Sequence, residues 1–163
     1  MKKSVLLLFF AGCVATGIFG IGRKIPMNRV NDLGQREGYW RDSLGEGITH
    51  ELYYKGGKKD GLFKCFSRND LFVLGEYTAD NMSGTWYMFG DEGELVYTLD
   101  SIELNKDSIY TGYCRIFCKY KCYCADYYPS GAVKSEGYMV CDEDFMVDFW
   151  EIGEWKYLSL IHI

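Results

Sequence analysis

Seven cysteines and two histidines are the residues of this chain with the widest chemical reach. Six cysteines follow Cys13: Cys65, Cys114, Cys118, Cys122, Cys124 and Cys141. Residues 113–128 are rich in Tyr, Ile, Phe and Cys and read as one strand, which puts Cys114, Ile116, Cys118, Tyr120, Cys122 and Cys124 on one face, pointing inward. Cys122 and Cys124 then stand roughly 6.6 Å apart on the same side of an extended chain, a poor geometry for a bond between them. Buried thiols, disulfides to other strands, or a metal pair at Cys118 and Cys122 are the open readings, and the chain lacks the Cys-x-x-Cys of redox enzymes. His50 lies on an expected strand and reads as a surface residue, and His162 is the penultimate residue. Asp91-Glu92 and Asp142-Glu143-Asp144 read as solvated hairpin tips, because neither matches a calcium loop. With no nucleophile elbow, metalloprotease helix or phosphate loop in the sequence, the expectation is no catalytic residue, no metal and no cofactor.

The element that must position the chain in the cell is its start. Lys2-Lys3 precede an unbroken apolar run from Val5 to Phe10, the pattern of a secretory signal helix, and residues 1–22 are read as a signal and anchor region. Phe10-Ala11-Gly12-Cys13 resembles the lipobox of bacterial lipoproteins, which implies lipidation at Cys13 and a membrane attachment through lipid. Cleavage after Gly17 and an uncleaved anchor over Val5–Gly22 remain alternatives, and each places the rest of the chain in the cell envelope, outside the cytoplasm. Residues 23–37 read as a linker.

Apolar residues at 48% and charged residues at 25% describe a chain that folds rather than one that stays disordered. Nineteen Gly, only 2 Pro and 14 Tyr favour short strands joined by glycine turns. The formal charge of −5 becomes −7 once Lys2 and Lys3 leave with a leader, and the basic residues are dispersed, so no nucleic-acid partner is expected.

Gly38-Tyr39-Trp40, Gly61-Leu62-Phe63 and Gly84-Thr85-Trp86 repeat with a period of 23. Gly47, Asp70 and Gly93 stand at a matching offset as turn formers, and Tyr54 and Tyr77 at another. Each unit reads as one β-hairpin, so residues 38–100 hold three hairpins that must pair edge to edge to be stable. Trp40, Phe63 and Trp86 form the first expected aromatic column. Residues 101–163 read as a degenerate continuation of the same domain, with the signature returning at Gly153-Glu154-Trp155.

The stretches Asp32–Trp40, Tyr53–Phe63, Gly84–Leu95 and Tyr127–Gly137 resemble the variant MORN (membrane occupation and recognition nexus) repeats of bacterial proteins often labelled as antitoxin components. The resemblance implies an all-β fold, a meandering antiparallel sheet used for protein or membrane association, with a protein partner and no catalytic residues. An immunity or antitoxin-like inhibitor of a toxin is the alternative, and an enzyme is the second.

In Gly84–Gly90, strand alternation sends Trp86 and Met88 to one side and Tyr87 and Phe89 to the other. A single sheet buries one face on itself, so Tyr39, Tyr87 and Phe89 are expected to contact a partner on the other.

Cells supplied with a labelled fatty acid should mark the wild-type chain and leave Cys13→Ala unmarked. An unmarked wild type would remove the lipid anchor.

Overall fold

Four two-residue turns set the frame. Glu46-Gly47, Gly56-Gly57, Arg68-Asn69 and Ala79-Asp80 each hold two successive residues at positive φ, the type I′ geometry whose twist matches that of paired strands. The computed structural model describes residues 26–107, 109–111, 114–116, 118–142 and 149–159. The expected signal helix and Cys13 lie outside these residues. The turns join β2 (Arg36–Gly45), β3 (Ile48–Lys55), β4 (Lys58–Ser67), β5 (Asp70–Thr78) and β6 (Asn81–Phe89). A longer turn at residues 90–94 leads to β7 (Leu95–Leu104). Before them β1 (Arg29–Val30) pairs with β2, within the stretch read as a linker. After them β8 (Ile109–Thr111) and β9 (Cys114–Ile116) form a small separate hairpin. The chain then returns through β10 (Tyr120–Tyr127), β11 (Val133–Cys141) and β12 (Phe149–Tyr157).

The result is one ten-stranded antiparallel meander, β1-β2-β3-β4-β5-β6-β7-β10-β11-β12. Gly38, Gly61 and Gly84 sit in β2, β4 and β6, the leading strands of consecutive hairpins. The second hairpin tip is Arg68-Asn69, one residue before the expected Asp70. Residues 113–128 are two strands, not one: β9 belongs to the small hairpin and β10 to the main sheet.

At Gly61, Gly84 and Gly153, though not at Gly38, the Gly-x-aromatic signature proves to be a bulge. Between the pairs Leu52↔Phe63 and Tyr54↔Lys59, β3 advances two residues while β4 advances four. The same mismatch recurs between Leu74↔Tyr87 and Glu76↔Ser83, and between Glu136↔Lys156 and Tyr138↔Ile152. In each case the bulged strand carries the glycine at positive φ, Gly61, Gly84 or Gly153, which is where a β-carbon would be most strained. At two of these bulges the aromatic ring lies down over a glycine of the neighbouring strand. Trp86 lies over Gly75, and Trp155 over Gly137.

These flattened rings let a single layer bury a core. Trp86 and Leu99 are fully buried, and Phe63 stacks on Trp86 with centroids 5.4 Å apart. Tyr77 meets the Trp86 ring edge-on at 5.1 Å. Trp40 joins the same face less deeply, edge-on to Tyr54 at 5.9 Å, with the Arg36 guanidinium 4.4 Å above its ring. The column of Trp40, Phe63 and Trp86 thus occupies one face, tightest at its inner end. Along β7, Ser101 takes a positive φ and the strand leaves β6 beyond Leu99 while staying paired with β10 to Leu104. Tyr120 enters the opening, and its hydroxyl accepts a hydrogen bond from the Met82 backbone N–H at 3.1 Å.

An alanine at position 75 would put its Cβ 2.2 Å from the Trp86 indole, with no backbone obstacle, since Gly75 does not have a positive φ. Gly75→Ala should therefore cost about 3 kcal/mol through overpacking. Gly56→Ala, at φ 56 with open space around it, should cost only about 1 kcal/mol of backbone strain. Denaturant unfolding of the two variants checks the difference, and equal losses would reject the ring-over-glycine account.

Candidate functional site

Strand alternation, confirmed by burial, sorts the side chains into two faces. The buried face carries Leu52, Phe63, Val73, Trp86 and Leu99. The open face carries Tyr39, Tyr53, Leu62, Leu74 and Tyr87. Tyr39 pairs with Tyr53 across β2 and β3, and Leu74 with Tyr87 across β5 and β6. Tyr53, Leu62 and Tyr87 are 40%, 45% and 37% exposed; between β4 and β5 Leu62 faces exposed Glu76 and Leu74 faces Lys64, so the apolar residues step by one row there. Tyr39 is half-buried against the Tyr53 ring at 5.4 Å. Burial and a hydrogen bond to Glu51 push its phenol up to about 12, so it stays protonated. Tyr39 and Tyr87 are four strand spacings apart, roughly 19 Å, and Tyr53, Leu62 and Leu74 fill the interval. Phe89 is half-buried at the end of β6, beside Asp70, Leu71 and Asp91 at the hairpin tips. The C-terminal strands extend the sheet sideways and do not cover this face. Tyr53 and Leu62 were missed in the sequence, although Tyr53 could have been found as the cross-strand partner of Tyr39.

The cysteines lie on the buried face. Cys118, Cys122, Cys124 and Cys141 are buried, as is Cys65 on β4. Cys65, Cys122, Cys124 and Cys141 are thiols rather than disulfides. The Cys122 and Cys141 sulfurs lie 4.0 Å apart on β10 and β11. The hydrogen bond to Cys141, together with burial, pushes the Cys122 thiol up. A buried neutral thiol is a small apolar side chain and a poor nucleophile. Among the described residues no group of three or more His, Cys, Asp or Glu is placed to hold a metal ion. The side chain of Cys114, and Glu143, Asp144 and His162, lie outside the described residues.

His50 is half-buried on the inner face rather than on the surface, with its ring edge-on to Phe63 at 5.1 Å. Burial, then the charge of Lys59, lowers its pKa, so the ring is neutral and packs as an aromatic. Asp91 and Glu92 are exposed at a hairpin tip, as expected. Asp142 instead accepts a hydrogen bond from the Lys119 backbone N–H at 2.7 Å, holding the entry to β10.

Where the buried face nears β12 the core thins and leaves a cavity of about 350 Å³. Tyr97, Met139, Phe149 and Trp155 form its apolar walls, and Asp126 and Glu151 bring two carboxylates to it. These residues come from β7, β10, β11 and β12, so no sequence spacing could have assembled them.

Burial lifts both the Cys124 thiol and the Tyr97 phenol to about 12, above their ordinary values of 9.0 and 10.0. A folded-state pKa above the unfolded one stabilises fully below the unfolded value, and that stabilisation fades as pH rises through the folded one. Stability measured by denaturant should therefore fall between about pH 9 and pH 12, and Cys124→Ala combined with Tyr97→Phe should flatten the fall. A double variant with the same pH slope as wild type would refute these assignments.

Compared with known proteins, the chain matches no family model, no curated protein and no solved structure. Its function has to be argued from its own residues.

Proposed function

We propose that this chain is an exported, lipid-anchored, non-catalytic protein of the MORN-like kind that binds a protein partner through the open face of its sheet. One observation carries the reading: Tyr53, Leu62 and Tyr87 stay exposed on one face, flanked by half-buried Tyr39 and Leu74, while the other face of the same strands is buried. Water-exposed tyrosines and leucines grouped on one face present rigid apolar area at low entropic cost, the material of protein interfaces. On the same face Arg41, Glu51 and Lys64 share a row with Leu74 and Tyr87, and Glu76 faces Leu62, charged groups that would meet polar groups of the partner. Attachment at Cys13 would hold the sheet near the membrane surface, and the net negative charge of the chain favours a protein over nucleic acid.

A photo-crosslinking residue placed at Leu62 in the full anchored chain should join a discrete partner in intact cells. The same group at exposed Lys106, away from the band, should not. Replacing Tyr39, Tyr53 and Tyr87 together with Ser should abolish the product at position 62 and shift the thermal transition by only a few degrees. Equal products from positions 62 and 106, or a product that survives the triple replacement, would reject this face.

A further inference from the structure

The cavity near β12 lies on the opposite face from the binding band, and its lining is chemically mixed. Tyr97, Phe149 and Trp155 offer aromatic surface, and Met139 a polarisable thioether. Asp126 and Glu151 reach the same space from β10 and β12. Asp126 is paired with Lys134 at 2.8 Å. Glu151 accepts a hydrogen bond from the Tyr157 hydroxyl at 2.9 Å, but among the described residues it has no ion-pair partner. The cavity therefore keeps one carboxylate without a counter-charge among the described residues, on exposed Glu151 at its mouth. Burial is the main cause of the raised Cys124 thiol and Tyr97 phenol, and Asp126 adds to both in the same direction. The Tyr97 hydroxyl has no hydrogen-bond partner among the described residues.

We propose that this cavity binds a small organic cation with an apolar body, an aryl or alkyl ammonium, its charge between Asp126 and Glu151 and its body against Trp155, Phe149 and Tyr97. Aromatic faces attract a cation through their quadrupole, and the carboxylates set its position. An anion would face two carboxylates. A neutral apolar molecule would strip water from the same carboxylates and leave them unpaired. A bare divalent cation would find two carboxylates and apolar walls, without the oxygen shell it requires. At about 350 Å³ the space is at the small end for ligand sites and holds roughly a dozen heavy atoms at a water-like volume each.

Benzyltrimethylammonium is the probe. Titrated calorimetrically into the full chain, it should bind saturably with a one-to-one stoichiometry, while phenylacetate and benzyl alcohol should not. Asp126→Asn combined with Glu151→Gln should weaken binding roughly tenfold or more. Neither replacement touches the central core, and an unchanged circular dichroism spectrum will show that the sheet is intact. Trp155→Leu, which removes the aromatic wall, should weaken the cation as well. Absence of saturable binding, equal binding of phenylacetate, or an affinity unchanged in the double carboxylate variant would overturn the proposal.

Discussion

The Trp86 indole lying flat over Gly75 is the contact on which the rest of the sheet depends. A sheet without a second layer has nothing to bury its side chains against, so its rings must cover neighbouring backbone instead of standing upright. That requires a strand with a missing side chain, and a bulge beside it that tips the ring over. Gly75 supplies the first and Gly84 the second. Phe63 then stacks on the outer side of Trp86, Tyr77 abuts its edge, and Leu99 closes the row from β7. The same device reappears near the C-terminus with Trp155, Gly137 and Gly153. The core is thus a line of interlocked rings along one face, buried by local geometry repeated from hairpin to hairpin.

Much of this architecture was legible because the period of 23 is an imprint of the bulge. A glycine with positive φ and an aromatic two residues later are both required by one local geometry, so they recur together. What spacing could not show was the residue beneath each ring, because Gly75 and Gly137 precede their tryptophans by different intervals and look like ordinary strand glycines. The displacement of the second hairpin tip from Asp70 to Arg68-Asn69 has a similar origin. The first hairpin bulges on its leading strand between Ser43 and Gly45, whereas the second bulges on its trailing strand between Leu71 and Val73, so equal spacing of the glycines does not give equal spacing of the turns. The strand expected over residues 113–128 failed because alternation describes which face a residue takes, not which partner strand is at hand. The inward placement of Cys118, Tyr120, Cys122 and Cys124 held for that same reason. Of the candidate contacts, alternation separated Tyr87 from Trp86, but the cavity was out of reach, since Tyr97 and Trp155 meet only through the order of the strands.

The two faces divide the chemistry of the molecule. The open face presents a band of rings and aliphatic groups running across five strands, a surface with area but no depth. The buried face has depth only at its C-terminal end, where the ring row gives way to a space bordered by carboxylates. Thiols that could have been reactive are instead packed in the core, with Cys122 and Cys124 held neutral by their surroundings. A broad surface for a macromolecule and a small charged cavity can coexist here because a single-layer sheet keeps its two sides independent.

The order of the strands also sets how the chain can acquire its structure. Nearly every strand pairs with its immediate predecessor, so closing each new hairpin demands only a short loop, of two residues between β2 and β6, and little entropy. A chain emerging from a ribosome or a narrow channel can add hairpins one at a time, each using the edge left by the last. The exception is β7 with β10, which must wait for the whole excursion through β8 and β9 to be completed. Until then, β7 ends the growing sheet as a free edge, with Leu99 and the Trp86 ring beside it uncovered. The first seven strands would thus stand as an intermediate with one sticky border, and the arrival of Tyr120 against Met82 is the event that seals it.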